Sequence, residues 1–339
     1  MEPRVQYEYT ASVIVVSFNT RELLRECLQS LLAECSRLPD GLSAEVLVID
    51  NASKDGSADM VAADFAQTAF PVRLLRSEVN LGFGAANNVA IEAARGKYLV
   101  LLNSDAFLHA GSLARAIEHM EQDPAAGVAG ARLVSRDGEL QYSGRMFHSI
   151  ARDGFIQTGL SRIFPNSRLF AALDRTWADL THAAEVDWVT GAFMILRREA
   201  LTVTGLFDRR FFLYYEEVDL CRRIKRAGFR VQYWPDIVVT HLGGESSRTI
   251  PLTFSKSAAQ VVLWRMRSTF LYYRKHHGAQ ARLARWLEGG IYRARILRNR
   301  NSSNAARRER AREASLLLAL LKQAWNETRG GRVSPPLPW

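Results

Sequence analysis

The sequence predicts an α/β protein with a mainly parallel central sheet flanked by helices, followed by a basic helical extension. Three observations predict it. Short, almost unbroken apolar runs (SVIVVSF, EVLVID, KYLVLLN) alternate with amphipathic stretches through the first 135 residues. Polar clusters close those runs, and positive charge gathers near the C-terminal end. Strands covered on both faces read as continuous apolar runs, and the intervening helices supply the crossovers a parallel sheet needs.

Ser12–Phe18 is a strand by its β-branched content. Thr20 is placed to cap the next helix, whose apolar residues Leu23, Leu24, Cys27, Leu28, Leu31 and Leu32 recur every three or four positions. Glu45–Asp50 is the second strand, with a polar turn and a helix from about Ser57 after it. Val72–Arg76 is a third, short strand, Phe83–Ala94 a helix and Lys97–Asn103 a fourth strand. No period is sustained from Ser143 to Glu185, where loops and short helices are expected, and Val186–Leu196 is apolar again. Val218–Ala227 reads as a helix with Arg222, Arg223, Lys225 and Arg226 outward. Val231–Trp234 and Ile237–Leu242 read as two short strands separated by Pro235, and beyond Leu252 the pattern is helical and basic, ending in a loose SPPLPW tail. The division this implies is an α/β domain over residues 1–250 and a basic helical extension over 251–339.

Of 339 residues, 47% are hydrophobic and 24% charged, a balance that excludes disorder for most of the chain. Three cysteines at unrelated spacings (Cys27, Cys35, Cys221) make neither a zinc nor a disulfide framework and fit a reducing compartment. The N-terminal residues have no basic segment leading an apolar core, so no signal peptide is expected, and no run approaches the roughly 18 apolar residues of a membrane span. The net charge of +10 is uneven: between Trp264 and Arg332 there are 17 Lys and Arg against four acids, leaving the rest of the chain slightly acidic. Such an arm suits an anionic partner, whether lipid head groups, nucleic acid or an acidic substrate.

The polar clusters fall at the carboxyl ends of the predicted strands, where open α/β sheets bind ligands. Asp50, opening the turn Asn51-Ala52-Ser53-Lys54-Asp55-Gly56-Ser57, can meet a nucleobase or ribose, although Asp, Asn and Ser in such a turn also cap helices. Asp105, closing Asn103-Ser104-Asp105, can turn the chain or hold Mg²⁺ or Mn²⁺ through one oxygen while phosphates fill other positions. Glu216, Glu217 and Asp219 open an amphipathic helix; they complement its dipole, or one of them, beside Phe211-Phe212-Leu213-Tyr214-Tyr215, is a general base. His241, before Gly243-Gly244, is a structural imidazole or a ligand to the same cation as Asp105. Asn80-Leu81-Gly82-Phe83-Gly84 precedes a helix and can offer backbone N–H groups to phosphate, but it lacks the Gly-Lys-Ser/Thr ending of a Walker A loop.

The ordered succession SVIVVSFN, VLVIDNASKDGS, NLGFGAANN, YLVLLNSD, WVTGAFMILRREAL, GLFDRRFFLYYEEVDLCRRI and VVTHLGGESS, from about Ser12 to Ser247, resembles the inverting family 2 glycosyltransferases of the Rossmann-like GT-A fold. Within them it looks most like bacterial rhamnosyltransferase-type enzymes of cell-wall or surface polysaccharide. The resemblance implies that residues 1–250 are the catalytic domain and that a nucleotide-sugar, with dTDP-rhamnose the leading donor ahead of UDP- and GDP-sugars, gives its sugar to a hydroxyl of a glycan or polyprenyl-linked acceptor. It places Phe18 and Asn19 beside the nucleobase and Asp50 on base or ribose, with Asn51, Ser53, Gly82, Asn88 and Ser104 around the nucleotide. Trp188, Gly191 and Glu216 then line the sugar cleft. Asp105 matches the last acid of the family's Asp-x-Asp metal element, whose first acid is replaced here by Asn103, and His241 matches a His that holds the metal in some relatives. Glu217 stands where the family usually has Asp in a Glu-Asp pair; it is taken as the base, with Glu216 and Asp219 the alternatives.

The arm's interleaved aromatics (Trp264, Phe270, Tyr272, Tyr273) and arginines, followed by Arg307–Arg312, Leu316–Leu321 and Trp325, suit an anionic membrane surface, so the expected location is cytoplasmic and peripheral at the inner face of the cell membrane. A homodimer through the arm's apolar stripe is the other use of the same residues. A nucleic-acid binder explains the charge but not Asp50, Asp105 and Glu217 at strand and helix ends, so no nucleic acid is expected. A sugar-phosphate nucleotidyltransferase calls for an early Gly-rich loop with Arg and Lys that is not present, whereas an impaired relative serving as a scaffold fits the Asn103 and Glu217 departures.

Overall fold

The computed structural model describes residues 7–243 and 256–335, the side chains of 256–258 excepted. Gly244, Ser247, the 250/251 boundary and most of the SPPLPW tail lie outside the described residues. In chain order the elements are β1 (Tyr9–Ser17), α1 (Arg21–Cys35), β2 (Ala44–Asn51), α2 (Ser57–Asp64), β3 (Val72–Ser77), α3 (Phe83–Ala93), β4 (Gly96–Asn103) and β5 (Ala106–Leu108). Next come α4 (Ser112–Gln122), β6 (Ala126–Val134), β7 (Leu140–Gln141), β8 (Gly144–Arg145), α5 (Ile150–Thr158), α6 (Leu160–Ile163), β9 (Ala184–Glu185), β10 (Trp188–Val189), β11 (Phe193–Arg197) and α7 (Arg198–Thr204). The last are α8 (Glu216–Arg226), β12 (Arg230–His241), α9 (Lys256–His277), α10 (Gln280–Asn299) and α11 (Ala305–Glu327). The chain divides into two compact units: one from Met1–Met146, Asp179–Asp208 and Glu217–Thr249, the other from Phe147–Ala178, Arg209–Glu216 and Ile250–Trp339.

The first unit holds the sheet, in the order β3-β2-β1-β4-β11-β6-β12-β5, with β7 on β6 and β9 on β12. β3, β2, β1 and β4 are parallel, as is the β6–β12 pair, while β11 lies antiparallel between β4 and β6. All eight residues of β2 are buried, which is why it reads as an unbroken apolar run. Helices α1 and α4 cover the sheet with Leu24, Cys27, Leu28 and Leu31 and with Leu113, Ala116, Ile117 and Met120.

Three expectations change. The hydroxyl of Thr20 makes no cap; it donates to Ser104 Oγ (2.9 Å), and the free N–H of Arg21 finds Asp55 Oδ2 instead (2.8 Å). Arg223 and Lys225 are half-buried rather than outward: Arg223 pairs with Asp219 (2.9 Å) and donates to the carbonyls of Thr204 and Leu206, and Lys225 reaches Asp187 (3.1 Å) and the Val186 carbonyl. The two short strands around Pro235 are one strand, β12, whose pairing with β6 shifts between Trp234 and Val238. Proline donates no ladder hydrogen bond, so a bulge accommodates it.

One acid is buried at the opposite end of the strands: Glu45, 1% exposed, accepts from Ser12 Oγ (2.7 Å), the Arg95 N–H (2.6 Å) and Arg73 (3.2 Å), which satisfies its charge. Gly96 lies against this group, and a Cβ there would come 2.5 Å from the Ser12 backbone nitrogen. Gly96→Ala is therefore expected to destabilise the fold by about 1–3 kcal/mol, read as a lower urea midpoint at unchanged m.

The second unit is helical. Leu263, Met266 and Phe270 of α9, Tyr292 of α10 and Leu320, Leu321 and Ala324 of α11 form its core. Trp264, Phe270, Tyr272 and Tyr273 are all less than a tenth exposed, Trp264 packing on Phe212, Phe270 on Trp325 and Tyr272 on Tyr215 within the second unit, so these aromatics are not a membrane face. Glu288 of α10 is buried and accepts from Tyr292 Oη at 2.6 Å; burial raises its pKa, against the opposing hydrogen bond and the Arg265 charge. A carboxyl raised in the folded state stabilises below its unfolded pKa, and that contribution disappears as pH rises through the folded value. Glu288→Gln is thus expected to gain stability relative to wild type at pH 8 and to lose that advantage at pH 4, measured by thermal melts at both.

Candidate active site

β1, β2 and β4 end side by side, with Ser17 opposite Asp50 and Val16 opposite Asn103. The polar residues after them therefore collect along one edge of the first unit. Asn19 and Ala52 hold left-handed backbone (φ 54° and 67°), an uncommon conformation that the surrounding contacts must enforce. The Asn19 N–H donates to Ser53 Oγ (3.0 Å), Asn19 Oδ1 accepts from the Lys54 N–H (2.8 Å), and the Ser53 N–H donates to Asp50 Oδ2 (3.1 Å). Phe18 is half-buried beside them. Asp50 Oδ1 is left buried and without a hydrogen-bond partner among the described residues, an acceptor that a ligand N–H or O–H can satisfy. Asp55 serves both adjoining helices, accepting from Arg21 N–H and from Ser57 N–H (3.0 Å); burial opposes its charge, but these hydrogen bonds and that from Ser57 Oγ hold its pKa below the usual value.

The glycine-rich loop is held by Asn51, whose Nδ2 donates to Asn80 Oδ1 (2.9 Å) and whose Oδ1 accepts from the Leu81 N–H (2.8 Å). Gly82 (φ 79°, ψ 179°) occupies a conformation open essentially to glycine alone. Asn88, 2% exposed, spends both polar ends on the Phe207 backbone (2.8 and 2.9 Å). Gly191 faces Phe83: a Cβ there would come 2.9 Å from the ring. Trp188 donates its indole N–H to the Met146 carbonyl (2.8 Å), with the Arg145 guanidinium 5.4 Å from its ring centre. Ser104 is buried in a hydroxyl chain with Thr20 and Ser17.

Asp105 and His241 meet because His241 pairs with Ala106 across β12 and β5. Their Oδ1 and Nε2 are 3.6 Å apart, and Asn103 Nδ2 is 3.4 Å from the same Nε2. Gln141, not singled out in the sequence, decides how the ring is protonated. One end of its amide lies 2.8 Å from the His241 carbonyl, which can only accept, so that end is Nε2; the other end, Oε1, then accepts from His241 Nδ1–H at 2.8 Å. His241 Nε2 is left as a lone pair facing Asp105. Burial lowers the ring's pKa, against the Asp105 charge, which keeps that lone pair available. A carboxylate and a neutral imidazole so placed fit a divalent cation such as Mn²⁺ or Mg²⁺. No cluster of three or more His, Cys, Asp or Glu suited to a metal occurs among the described residues, so the pair fits a cation whose other ligands come from phosphate and water.

Among the acids of α8, Asp219 is fully buried and paired with Arg223, Glu216 is buried and Glu217 is half-buried. Left-handed Tyr214 and Tyr215 (φ 67° and 70°) precede them. Burial pushes the Cys35 and Cys221 thiols up to about 12 and that of Cys27 higher still, so none is a nucleophile.

Residues 12–201 match the model of glycosyl transferase family 2, more than half of the chain. The chain belongs to that family. As a family 2 glycosyltransferase it is a nucleotide-sugar-dependent enzyme. It is 27% identical over 311 residues to the N-acetylglucosaminyl-diphospho-decaprenol L-rhamnosyltransferase of Mycobacterium tuberculosis, covering 88% of this chain and 95% of that one. It is 26% identical to the rhamnosyltransferase WbbL of Escherichia coli over 85% of this chain and 95% of the relative. The mannosyltransferase PcManGT of Pyrobaculum calidifontis, solved with GDP-Man and Mn²⁺, shares the GT-A fold at a TM-score of 0.58 and 18% identity, covering 96% of this chain and 92% of that one.

If Gln141 sets the His241 tautomer, long-range ¹H–¹⁵N spectra of the imidazole will show Nδ1–H in the wild type, mixed tautomers in Gln141→Leu and recovery in Gln141→Glu. Mn²⁺ affinity is expected to fall about 10–100-fold in Gln141→Leu, as for other partners of metal-ligating histidines.

Proposed function

We propose that this family 2 glycosyltransferase moves L-rhamnose from dTDP-rhamnose, with inversion, onto a hydroxyl of a polyprenyl-linked glycan in cell-wall or surface-polysaccharide synthesis. The observation that carries the reading is the spacing of two features on one sheet edge. The orphaned Asp50 oxygen follows β2 and the Asp105–His241 pair follows β4, with only β1 between. Two strand spacings are about 10 Å, the reach from a nucleoside to its diphosphate. In this reading Asp50 receives a base or ribose donor group, with Phe18, Asn19 and Ser53 shaping that end. Asn51, Gly82, Asn88 and Ser104 set the wall around the nucleotide, and Trp188, Gly191 and Glu216 border the sugar. Asp105 and His241 hold Mn²⁺ or Mg²⁺, which when bound offsets charge on the departing diphosphate.

Glu217 takes the proton of the acceptor hydroxyl as its oxygen attacks the anomeric carbon opposite the leaving dTDP. One displacement inverts that centre. Glu217 is favoured over Asp219 because the latter's carboxylate is committed to Arg223, and over Glu216 because it is the more accessible. Rhamnose is supported by the names of both bacterial relatives, and the lipid-linked acceptor by that of the Mycobacterium tuberculosis enzyme.

The proposed location is the inner face of the cell membrane. No helix among the described residues is long and apolar enough to cross a membrane. Exposed Leu283, Trp286 (70%) and Leu297 share α10 with Arg282, Arg285, Arg293 and Arg298, a composition suited to lying at an anionic surface.

The test is release of dTDP from dTDP-rhamnose by the purified protein with Mn²⁺ and a lipid-linked acceptor, with the product anomer read by NMR. Glu217→Gln is expected to lower kcat about 10²–10⁴-fold with little change in donor KM. An undiminished kcat moves the base to Glu216, turnover of another nucleotide-sugar alone corrects the donor, and no turnover of any donor leaves a scaffold.

A further inference from the structure

Three helices and a turn of the second unit border an open cavity that the proposed transfer reaction does not use. Its volume is about 460 Å³, and its lining is Arg274 of α9, Arg282 of α10, Trp325 and Asn326 of α11, and Arg329, Gly330 and Arg332 of the turn after α11. Four arginines thus border one space, three of them solvent-exposed, with no carboxylate in its wall. None of the four has an acidic partner among the described residues; the one polar contact of their side chains is Arg332 Nη1 to the Arg329 carbonyl at 3.4 Å. The acid next to the lining, Glu327, is already held by Arg267 (2.6 Å) and Gln323 (2.9 Å). Some exposed arginines find carboxylates, as Arg76 with Asp59, Arg95 with Glu8 and Arg136 with Glu26, whereas these four are set apart by bordering one space together.

The wall is fixed. Trp325 packs edge-on against Phe270 (5.1 Å, 87°) and under the Arg285 guanidinium (4.9 Å). The turn is pressed onto α9 so closely that a Cβ on Gly331 would lie 2.1 Å from the Phe270 carbonyl oxygen, and Arg329 is held at φ 48°. Four like charges in one concave space repel one another, and a guanidinium fork matches phosphate oxygens in pairs. We propose that this cavity binds a phosphate-bearing group, supplied by an anionic lipid head or by a soluble diphosphate. Leu283, adjacent to Arg282, and Trp286, one helical turn beyond it, are exposed, which suits a lipid whose head enters the cavity. The site rests on neither the donor nor the acceptor proposed above.

The experiment titrates the full chain in EDTA with inorganic pyrophosphate by calorimetry, and pellets it with phosphatidylglycerol or phosphatidylcholine vesicles. EDTA and an Asp105→Ala background remove any contribution from the cation site. Wild type is compared with Arg282→Gln/Arg332→Gln, with Arg282→Glu/Arg329→Glu, and with Arg162→Glu/Arg300→Glu, exposed arginines outside the cavity. Pyrophosphate binding at one site, weakened at least tenfold in both cavity variants and unchanged in the third, is the expected result. A parallel loss of phosphatidylglycerol pelleting supports the lipid source, and unchanged pelleting supports the soluble one. Equal weakening in the Arg162→Glu/Arg300→Glu protein, or binding of neither pyrophosphate nor phosphatidylglycerol by wild type, overturns the proposal.

Discussion

A bend in one strand is the constraint on which the site depends. β5 is last in the hydrogen-bonded order of the sheet, yet only two residues separate it from β4 in the chain. Both are satisfied because β12 changes register between Trp234 and Val238, after which Val239–His241 pair with Ala106–Leu108. The bend needs its backbone groups satisfied, and α4 satisfies them. Arg115 donates to the Asp236 carbonyl (3.0 Å), and Ser112 both donates to the Val238 carbonyl (2.9 Å) and accepts from its N–H (3.2 Å). His119 adds a contact to the Asp236 carboxylate and stacks on Trp234. Pro235, which breaks the apolar run, is thus what lets a distant histidine arrive beside Asp105.

Around that edge the polar side chains divide into those that build and those that face outward. Asn51, Asn88, Ser104 and Trp188 have their donors and acceptors engaged by the protein itself, so their contribution to a ligand is the wall they hold still. Asp50 Oδ1 and His241 Nε2 are the opposite: an oxygen with no partner and a ring nitrogen whose proton has been assigned elsewhere by Gln141. An open acceptor at Asp50 and a ring lone pair held only by a long contact from Asn103 Nδ2 (3.4 Å) need little reorganisation when a nucleotide and cation arrive, which favours electrostatic binding in a low-dielectric site. The left-handed residues Asn19 and Ala52 flank Asp50, strain that the strand ends nearby are rigid enough to impose.

Much of this was legible in the chain because buried parallel strands announce themselves. β1, β2 and β4 are continuous apolar runs, and the first polar residue after each marks the edge where ligands collect. What was not legible depends on partners far apart in sequence. Thr20 has the right residue type for a cap, but Ser104, 84 positions away, competes for its hydroxyl. Arg223 looks outward on a helical wheel until buried Asp219 claims it. Gln141 is a short polar residue in a two-residue strand with no local pattern, and its value comes entirely from lying beside His241, 100 positions on. Its one sequence signal was weak: an isolated amide between the apolar run of β6 and the next turn.

The arm shows why composition alone misassigned its aromatics. Basic residues interleaved with Trp, Phe and Tyr read as an interfacial segment, because that pattern does mark membrane-facing helices. The same pattern arises when a helix must bury a core in a unit crowded with positive charge. Rings then go inside, where Phe270, Tyr272 and Tyr273 lie, and arginine stems fan over the surface with their charges in solvent. The discriminating quantity is the exposure of the ring, and by that measure Trp286 differs from the aromatics of α9. Spread along a helix surface, arginines are separated enough for salt to screen their repulsion over a Debye length of about 8 Å. Arg274, Arg282, Arg329 and Arg332 instead border one open space beside Trp325, and the neighbouring acid, Glu327, is engaged by Arg267, so an anion is the group that space lacks.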